Sequence, residues 1–204
     1  MEDLLAPYQG IATSAASGLI FCSTTKARSS AKCAGARPAL RAQNNTTFLA
    51  DAMLGSLARK LRIFGFDTLY IAHTHDDEIL KVGIEQGRVI LTADRELFKR
   101  VVKAGAKGVL VDGEGELEDI VHILAKNGIA SVDFASSRCS VCNGLLSGRT
   151  PEQIRGRVPG RVAECHSEFY QCVDCGKVYW EGSHFRRIKA LAKSVDLKLA
   201  SAIS

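Results

Sequence analysis

Between Thr46 and Gly128 a short apolar run is followed, four times in succession, by a stretch with helical spacing. T-T-F-L-A-D precedes Met53, Leu54, Leu57, Ala58, Leu61 and Phe64, with Gly65 ending that helix. T-L-Y-I-A precedes D-D-E-I-L-K-V-G-I-E-Q, whose expected inner face is Ile79, Leu80, Gly83 and Ile84. R-V-I-L-T-A-D precedes a helix marked by Leu97, Phe98, Val101 and Val102, and K-G-V-L-V-D precedes one marked by Leu117, Ile120, Val121 and Leu124. Strands that are apolar on both faces, alternating with helices, predict an α/β fold with a parallel sheet of about four strands covered on each side. Right-handed crossovers bring every strand's carboxyl end to one edge, where ligands of open α/β sheets bind.

That edge is acidic. Asp51 ends the first strand, Asp94 the third and Asp112 the fourth, while Asp76 and Asp77 open the helix after the second. Asp is a favoured helix cap, so each acid taken singly has a local explanation, and capping suffices for Asp77 and Asp112. Capping does not require convergence, however. Carboxylates crowded at one rim repel each other and raise their own pKa values unless a cation compensates. Oxygen ligands of this kind suit Mg²⁺ or Mn²⁺, and such a site has the chemistry of metal-assisted phosphodiester hydrolysis. We therefore expect Asp51, Asp76 and Asp94 to hold that ion. Arg59, Lys60 and Arg62 on the first helix, with Arg95, Lys99 and Arg100 on the third, are candidate partners for a polyanion or simply a solvated face. Arg59 and Arg95 are the expected substrate contacts.

The full chain has 204 residues and a net charge of +5. Residues 4–50 contain no acid and five cations, which leaves the body nearly neutral. No stretch approaches the roughly 20 apolar residues of a membrane helix, so a soluble protein is expected. Residues 1–46, rich in Ala, Ser, Gly and Thr without sustained periodicity, read as a disordered leader. They are either a flexible tail or an organellar transit peptide, which Glu2 and Asp3 fit poorly.

Of seven cysteines, four form two C-x-x-C pairs, Cys139 with Cys142 and Cys172 with Cys175. Two residues between thiolates let both sulfurs reach one ion at about 2.3 Å, which predicts a structural Zn²⁺ site in a reducing compartment. Gly144 and Gly176 suit the turns after each pair. The 29 residues between the pairs exceed the usual separation, which predicts an inserted loop, with Cys165 and His166 as ordinary loop residues. Cys22 and Cys33 fall in the leader. After the second pair, Trp180, His184 and Arg186 belong to V-Y-W-E-G-S-H-F-R-R-I-K, where aromatics interleave with cations as single-stranded RNA binding requires. The alternative packs the aromatics against the main domain. The expected organisation is thus 1–46 leader, 47–135 sheet domain, 136–190 zinc ribbon with its basic-aromatic end, and 191–204 C-terminal tail.

F-L-A-D-A-M-L-G-S-L-A-R-K-L-R-I-F-G-F-D-T, D-D-E-I-L, R-V-I-L-T-A-D-R-E-L, the two C-x-x-C pairs and V-Y-W-E-G-S-H, in that order, resemble the Mut-seven C-terminal family of PIN-fold ribonucleases with a C-terminal zinc ribbon. The resemblance spans about residues 47–190. It implies a PIN-like fold and metal-dependent RNA cleavage, with Asp51 as the first PIN acid, Asp76 as the acid opening the later helix and Asp94 as the acid of the T-x-D motif. A fourth acid, which PIN nucleases often carry on a helix, is missing from this compact pattern. Two rivals remain at the level of sequence: a non-catalytic RNA- or ribosome-binding zinc-ribbon protein, and a response-regulator-like phosphoacceptor. The latter needs two neighbouring acids near the end of the first strand, which residues 46–51 lack. The expected partner is RNA and not a membrane; the expected location is cytoplasmic, or organellar if residues 1–46 are a transit peptide.

Overall fold

The computed structural model describes residues 45–72 and 74–203. The leader expected over residues 1–46 lies, except for its last two residues, outside the described residues, as do Cys22 and Cys33.

Four strands, β1 (Phe48–Ala50), β2 (Thr68–Tyr70), β3 (Val89–Thr92) and β4 (Gly108–Leu110), form one sheet in the order β2-β1-β3-β4. All neighbours are parallel, with Phe48 level with both Thr68 and Val89, and Ile90 level with Gly108. The helices α1 (Gly55–Ile63), α2 (Asp76–Glu85), α3 (Arg95–Lys103) and α4 (Glu116–Lys126) are the crossovers and the final cover. Side chains alternate across a strand, so adjacent residues feed different layers. Phe48 and Leu91 join Leu61 of α1 and Ile120 of α4 on one face. Leu49 and Ile90 join Ile79 of α2 and Leu97 of α3 on the other. The central strands β1 and β3 are buried on both faces, as their unbroken apolar runs predict, while the edge strands β2 and β4 are half-buried.

Three expected core positions are solvent-facing: Met53, Ile84 and Val102 are 79%, 50% and 60% exposed. Met53 falls in a 3-10 turn, Ala52–Leu54, that precedes α1 and turns it out of the core. In α2 the helix is seated through Gly83. A methyl group there would overlap the end of the Ile90 side chain, and this close approach rotates Ile84 outward.

The second sheet is antiparallel, β5 (Leu146–Arg149), β6 (Phe169–Cys172) and β7 (Val178–Trp180), in the order β5-β6-β7. The segment between the cysteine pairs is therefore not a plain loop. It supplies β5, a 3-10 turn at Glu152–Ile154, the short helix α5 (Gly160–Cys165) and β6, with Ile154 and Phe169 fully buried between them.

The stretch 191–204, expected as a tail, instead continues the longest helix, α6 (Ser183–Ile203), through residue 203. Ile188, Ala192, Val195 and Leu199 are buried in the same cluster as Ile120 and Leu124 of α4. Their spacing of four, three and four residues is that of one helical face. The small residues in A-L-A-K-S-V-D-L-K-L-A disguise it.

Candidate active site and zinc centre

β1 and β3 lie side by side in the centre of the sheet, so Asp51 and Asp94 leave the same edge from adjacent strands. Asp51 is buried, with 6% of its surface exposed. Its Oδ1 accepts the Met53 backbone N–H at 3.0 Å, and its Oδ2 accepts the Thr92 hydroxyl. Thr92 Oγ1 in turn accepts the Asp94 backbone N–H at 2.9 Å. One threonine hydroxyl thus ties the ends of β1 and β3 together. The T-x-D spelling is visible in the sequence, but only the packing of β1 against β3 shows that this buried hydroxyl links the two strand ends.

Asp94 is exposed and caps α3: its Oδ1 accepts the N–H groups of Glu96 at 2.7 Å and Leu97 at 3.3 Å. Both cap bonds use one oxygen. Asp76 lies in the first turn of α2, whose N-cap is His75. Arg100 of α3 reaches across to it, 3.4 Å from Nη1 to the carboxylate, and also pairs with Asp77. Asp112 lies 3.8 Å from Arg95. A further acid, Asp119 of α4, is held above the usual carboxylate range by burial, with the charges of Glu114, Asp112 and Glu118 adding to the effect and a hydrogen bond from Gly113 opposing it.

The three expected ligands share the edge but not a single tight cluster. Among the described residues, the group of three or more possible ligands whose donor atoms all lie within 4.8 Å of one another is the four cysteines. Asp51 and Asp94 leave adjacent strands at this edge and are linked through the Thr92 hydroxyl, whereas Asp76 is held by Arg100.

The cations expected to meet a polyanion divide sharply. Arg62 is 5% exposed and faces inward. Its Nε donates to the Thr68 carbonyl at 2.8 Å, and its Nη1 donates to the carbonyls of Ser140 and Val141 at 3.1 and 3.0 Å. Burial lowers its pKa, while the charges of Cys139, Cys142 and Asp67 oppose that loss. Arg62 is accordingly a clamp on the first cysteine pair and not an RNA contact. Lys60 pairs with Glu116, and Lys99 with Glu96 at 2.6 Å. Arg59 is exposed on α1.

A family description, the Mut7-C RNAse domain, matches residues 46–192. The chain belongs to the Mut7-C RNAse domain family. The match runs from just before β1 into α6, so it takes in both sheets and every expected ligand. It makes this Mut7-C protein ribonuclease-like in function, with RNA as the substrate. No curated protein and no solved structure matches the chain. Among the described residues no helix is long and apolar enough to cross a membrane.

The Mut7-C cysteines meet as their spacing predicts. Cys139 Sγ lies 3.5 Å from Cys175 Sγ, and Cys142 Sγ lies 3.4 Å from Cys172 Sγ. A tetrahedral Zn²⁺ with bonds of ~2.3 Å needs sulfurs about 3.8 Å apart, so the set fits the ion. The thiols also titrate as a crowded group. Burial raises Cys139, but hydrogen bonds from Tyr179 and nearby backbone outweigh it and bring the thiol down to about 6. Burial and the three neighbouring sulfurs push Cys142 up to about 12. One thiolate suppresses the next, a conflict that a divalent cation removes. Gly144 is needed for close approach: a methyl group there would overlap the Asp174 carboxylate and sit 2.9 Å from Cys172 Sγ. Cys165 is exposed at the end of α5, outside the cluster.

Trp180 is half-buried at the end of β7, and His184 and Arg186 are exposed in the first turn of α6. Phe185, between them, packs edge-on against Phe134 with ring centroids 5.3 Å apart, and Phe134 packs against Phe64 at 5.9 Å. The packing alternative holds for Phe185, which anchors the stretch to the sheet domain, while His184 and Arg186 face solvent.

Proposed function

We infer that the chain is an endoribonuclease dependent on Mg²⁺ or Mn²⁺, hydrolysing RNA phosphodiester bonds at the carboxyl edge of the parallel sheet. The observation that carries this reading is the Asp51–Thr92–Asp94 link, two carboxylate residues tied together at the ligand-binding edge of an RNAse-family fold. When bound, the divalent ion would polarise a phosphoryl oxygen and lower the pKa of an attacking water. Asp51 and Asp94 would hold it, and Asp76 would join them if Arg100 exchanged its carboxylate for RNA phosphate. Thr92 fixes Asp51 by donating a hydrogen bond from its hydroxyl to the carboxylate. Arg59 and Arg95 are the expected phosphate contacts on this side. Trp180, His184 and Arg186 would help the zinc ribbon hold the strand. A site of four free thiols suits a reducing compartment such as the cytoplasm.

The pairing of Asp76 with Arg100 favours a second reading, an RNA- or ribosome-binding protein without hydrolytic activity. One experiment separates them: purified protein is incubated with single-stranded and structured RNAs with added Mg²⁺ or Mn²⁺, and with EDTA. The nuclease reading expects internal cleavage that EDTA stops and that Asp51→Asn and Asp94→Asn abolish. Cleavage that survives both substitutions would sink it.

A further inference from the structure

The sheet domain and the ribbon carry opposite charge. Residues 47–135 hold eleven Lys and Arg against fourteen Asp and Glu, a net of −3, whereas residues 136–190 hold nine against five, a net of +4. A polyanion is drawn to the second and repelled by the first. Three cations of the sheet domain, Lys60, Lys99 and Arg100, are spoken for in ion pairs with acids of their own domain. In the insertion between the cysteine pairs, by contrast, Arg155 and Arg161 are exposed and, among the described residues, enter no ion pair. The backbone N–H of Arg155 donates to the Glu152 carbonyl at 3.4 Å, while its guanidinium, within electrostatic reach of the Glu152 carboxylate, forms no ion pair with it. Their neighbour Arg157 has a structural task, donating to the Gly176 carbonyl at 3.0 Å and so fastening the insertion to the second cysteine turn.

The same insertion carries an exposed aromatic side chain. On β6, Phe169 is buried and Tyr170 is 41% exposed. Opposite Tyr170 across the β5–β6 ladder stands Gly148, and a side chain built there would meet nothing within 4 Å. The ring therefore lies beside open space, as a surface for stacking a base must.

The ribbon is fastened away from the acids. Asn143 accepts the Thr68 N–H at 3.1 Å through Oδ1 and donates to Asp67 at 2.9 Å through Nδ2. Thr68 opens β2, at the amino edge of the sheet, whereas Asp51 and Asp94 leave the carboxyl edge. A strand of three residues separates the two edges by roughly 10 Å.

We propose that the ribbon insertion, through Arg155 and Arg161 with Tyr170 as stacking surface, grips the backbone of single-stranded RNA at a place distinct from the acidic edge, so that productive substrates are strands long enough to reach both. The choice of RNA rests on the ribonuclease reading.

The test uses the full zinc-loaded chain carrying Asp51→Asn, with fluorescence anisotropy of labelled single strands of about 20 and about 5 nucleotides over a salt series. The longer strand is expected to bind more tightly. Arg155→Ala with Arg161→Ala is expected to weaken that binding about tenfold and to reduce the salt slope by about 1.4, about 0.7 for each phosphate no longer neutralised. Restoring charge with Lys at both positions should recover the slope. Tyr170→Ala should weaken binding, and Tyr170→Phe should not. Zinc content and circular dichroism check the fold, and the Gln pair is read in the same way if the Ala pair loses zinc. Unchanged affinity and slope in the double variant, or equal affinity for both lengths, overturns the inference. If Asp51→Asn still cleaves RNA, the ribonuclease reading fails while the binding result stands; if cleavage is abolished but the arginine pair proves silent, only the ribbon inference fails.

Discussion

Asp94 caps α3 and, on the proposed reading, also serves as a metal ligand, and the two contributions separate chemically because Asn caps a helix about as well as Asp does. Asp94→Asn is expected to keep the unfolding midpoint within experimental error while abolishing RNA cleavage, whereas Asp94→Ala should lose cleavage and about 1 kcal/mol of stability in urea titrations. Equal loss of stability in both variants would show that charge, not capping, holds the turn. Thr92 acts one step further back, since it touches Asp51 and the Asp94 N–H. Thr92→Val, which removes only the hydroxyl, should lower activity or Mn²⁺ affinity by about 10- to 100-fold, and a Ser at this position should restore most of it. The acid Asp67 provides a pH prediction. Burial would raise its carboxyl, but hydrogen bonds from Arg88 and Asn143 and the charges of Arg88 and Arg138 outweigh it and hold it below the usual range. A depressed folded-state pKa stabilises the fold above the unfolded value of about 3.9 and ceases to do so as pH falls through the folded one. Asp67→Asn should therefore lose stability at neutral pH and flatten the acid limb of the urea midpoint below about pH 4.

At the scale of elements, two close contacts decide how helices seat. Gly83 lets α2 press on Ile90, so Gly83→Ala should destabilise by about 1–3 kcal/mol even though Ala is the better helix former. A neutral or stabilising result in calorimetry would mean that Ile90 moves aside. The terminal half of α6 is core: Leu199→Ala is expected to cost about 2–5 kcal/mol, because Leu199 is fully buried against the α4 layer. The four βα units were legible from apolar runs and helical spacing, because a buried parallel strand leaves no polar position to confuse the pattern. The end of α6 was not read, because Ala and Ser carry little hydrophobic signal although the i, i+4, i+7 spacing of Ile188, Ala192 and Val195 was present. In the insertion, the expected loop hid four elements because its strands are short and one of its buried residues, Ile154, stands alone among Arg, Gly and Pro.

At the scale of the molecule, a buried cation helps to join the described sheet domain and ribbon. Arg62, from α1, donates to β2 and to two carbonyls of the first cysteine turn, and Ser137 and Arg138 bond back to the carbonyls of Ile63 and Arg62. Loss of zinc should therefore be felt in the sheet domain: stripping the metal with a strong chelator is expected to lower the melting temperature of the chain, and metal analysis should find about one Zn²⁺ per chain, absent from Cys139→Ser. An unchanged melting transition would separate the two halves energetically. The sequence by itself determined the parallel order of βα units, the acids at the strand ends and the zinc ligands, since each of these is written in local spacing: period, cap and C-x-x-C. Only the tertiary structure decided which cations are spent inside the protein. Arg62, Arg100 and Arg155 look alike in the chain, but one is buried on backbone carbonyls, one neutralises acids of a neighbouring helix and one faces solvent. Whether a guanidinium meets carbonyls, carboxylates or water depends on residues distant in the chain, and local spacing carries no record of them.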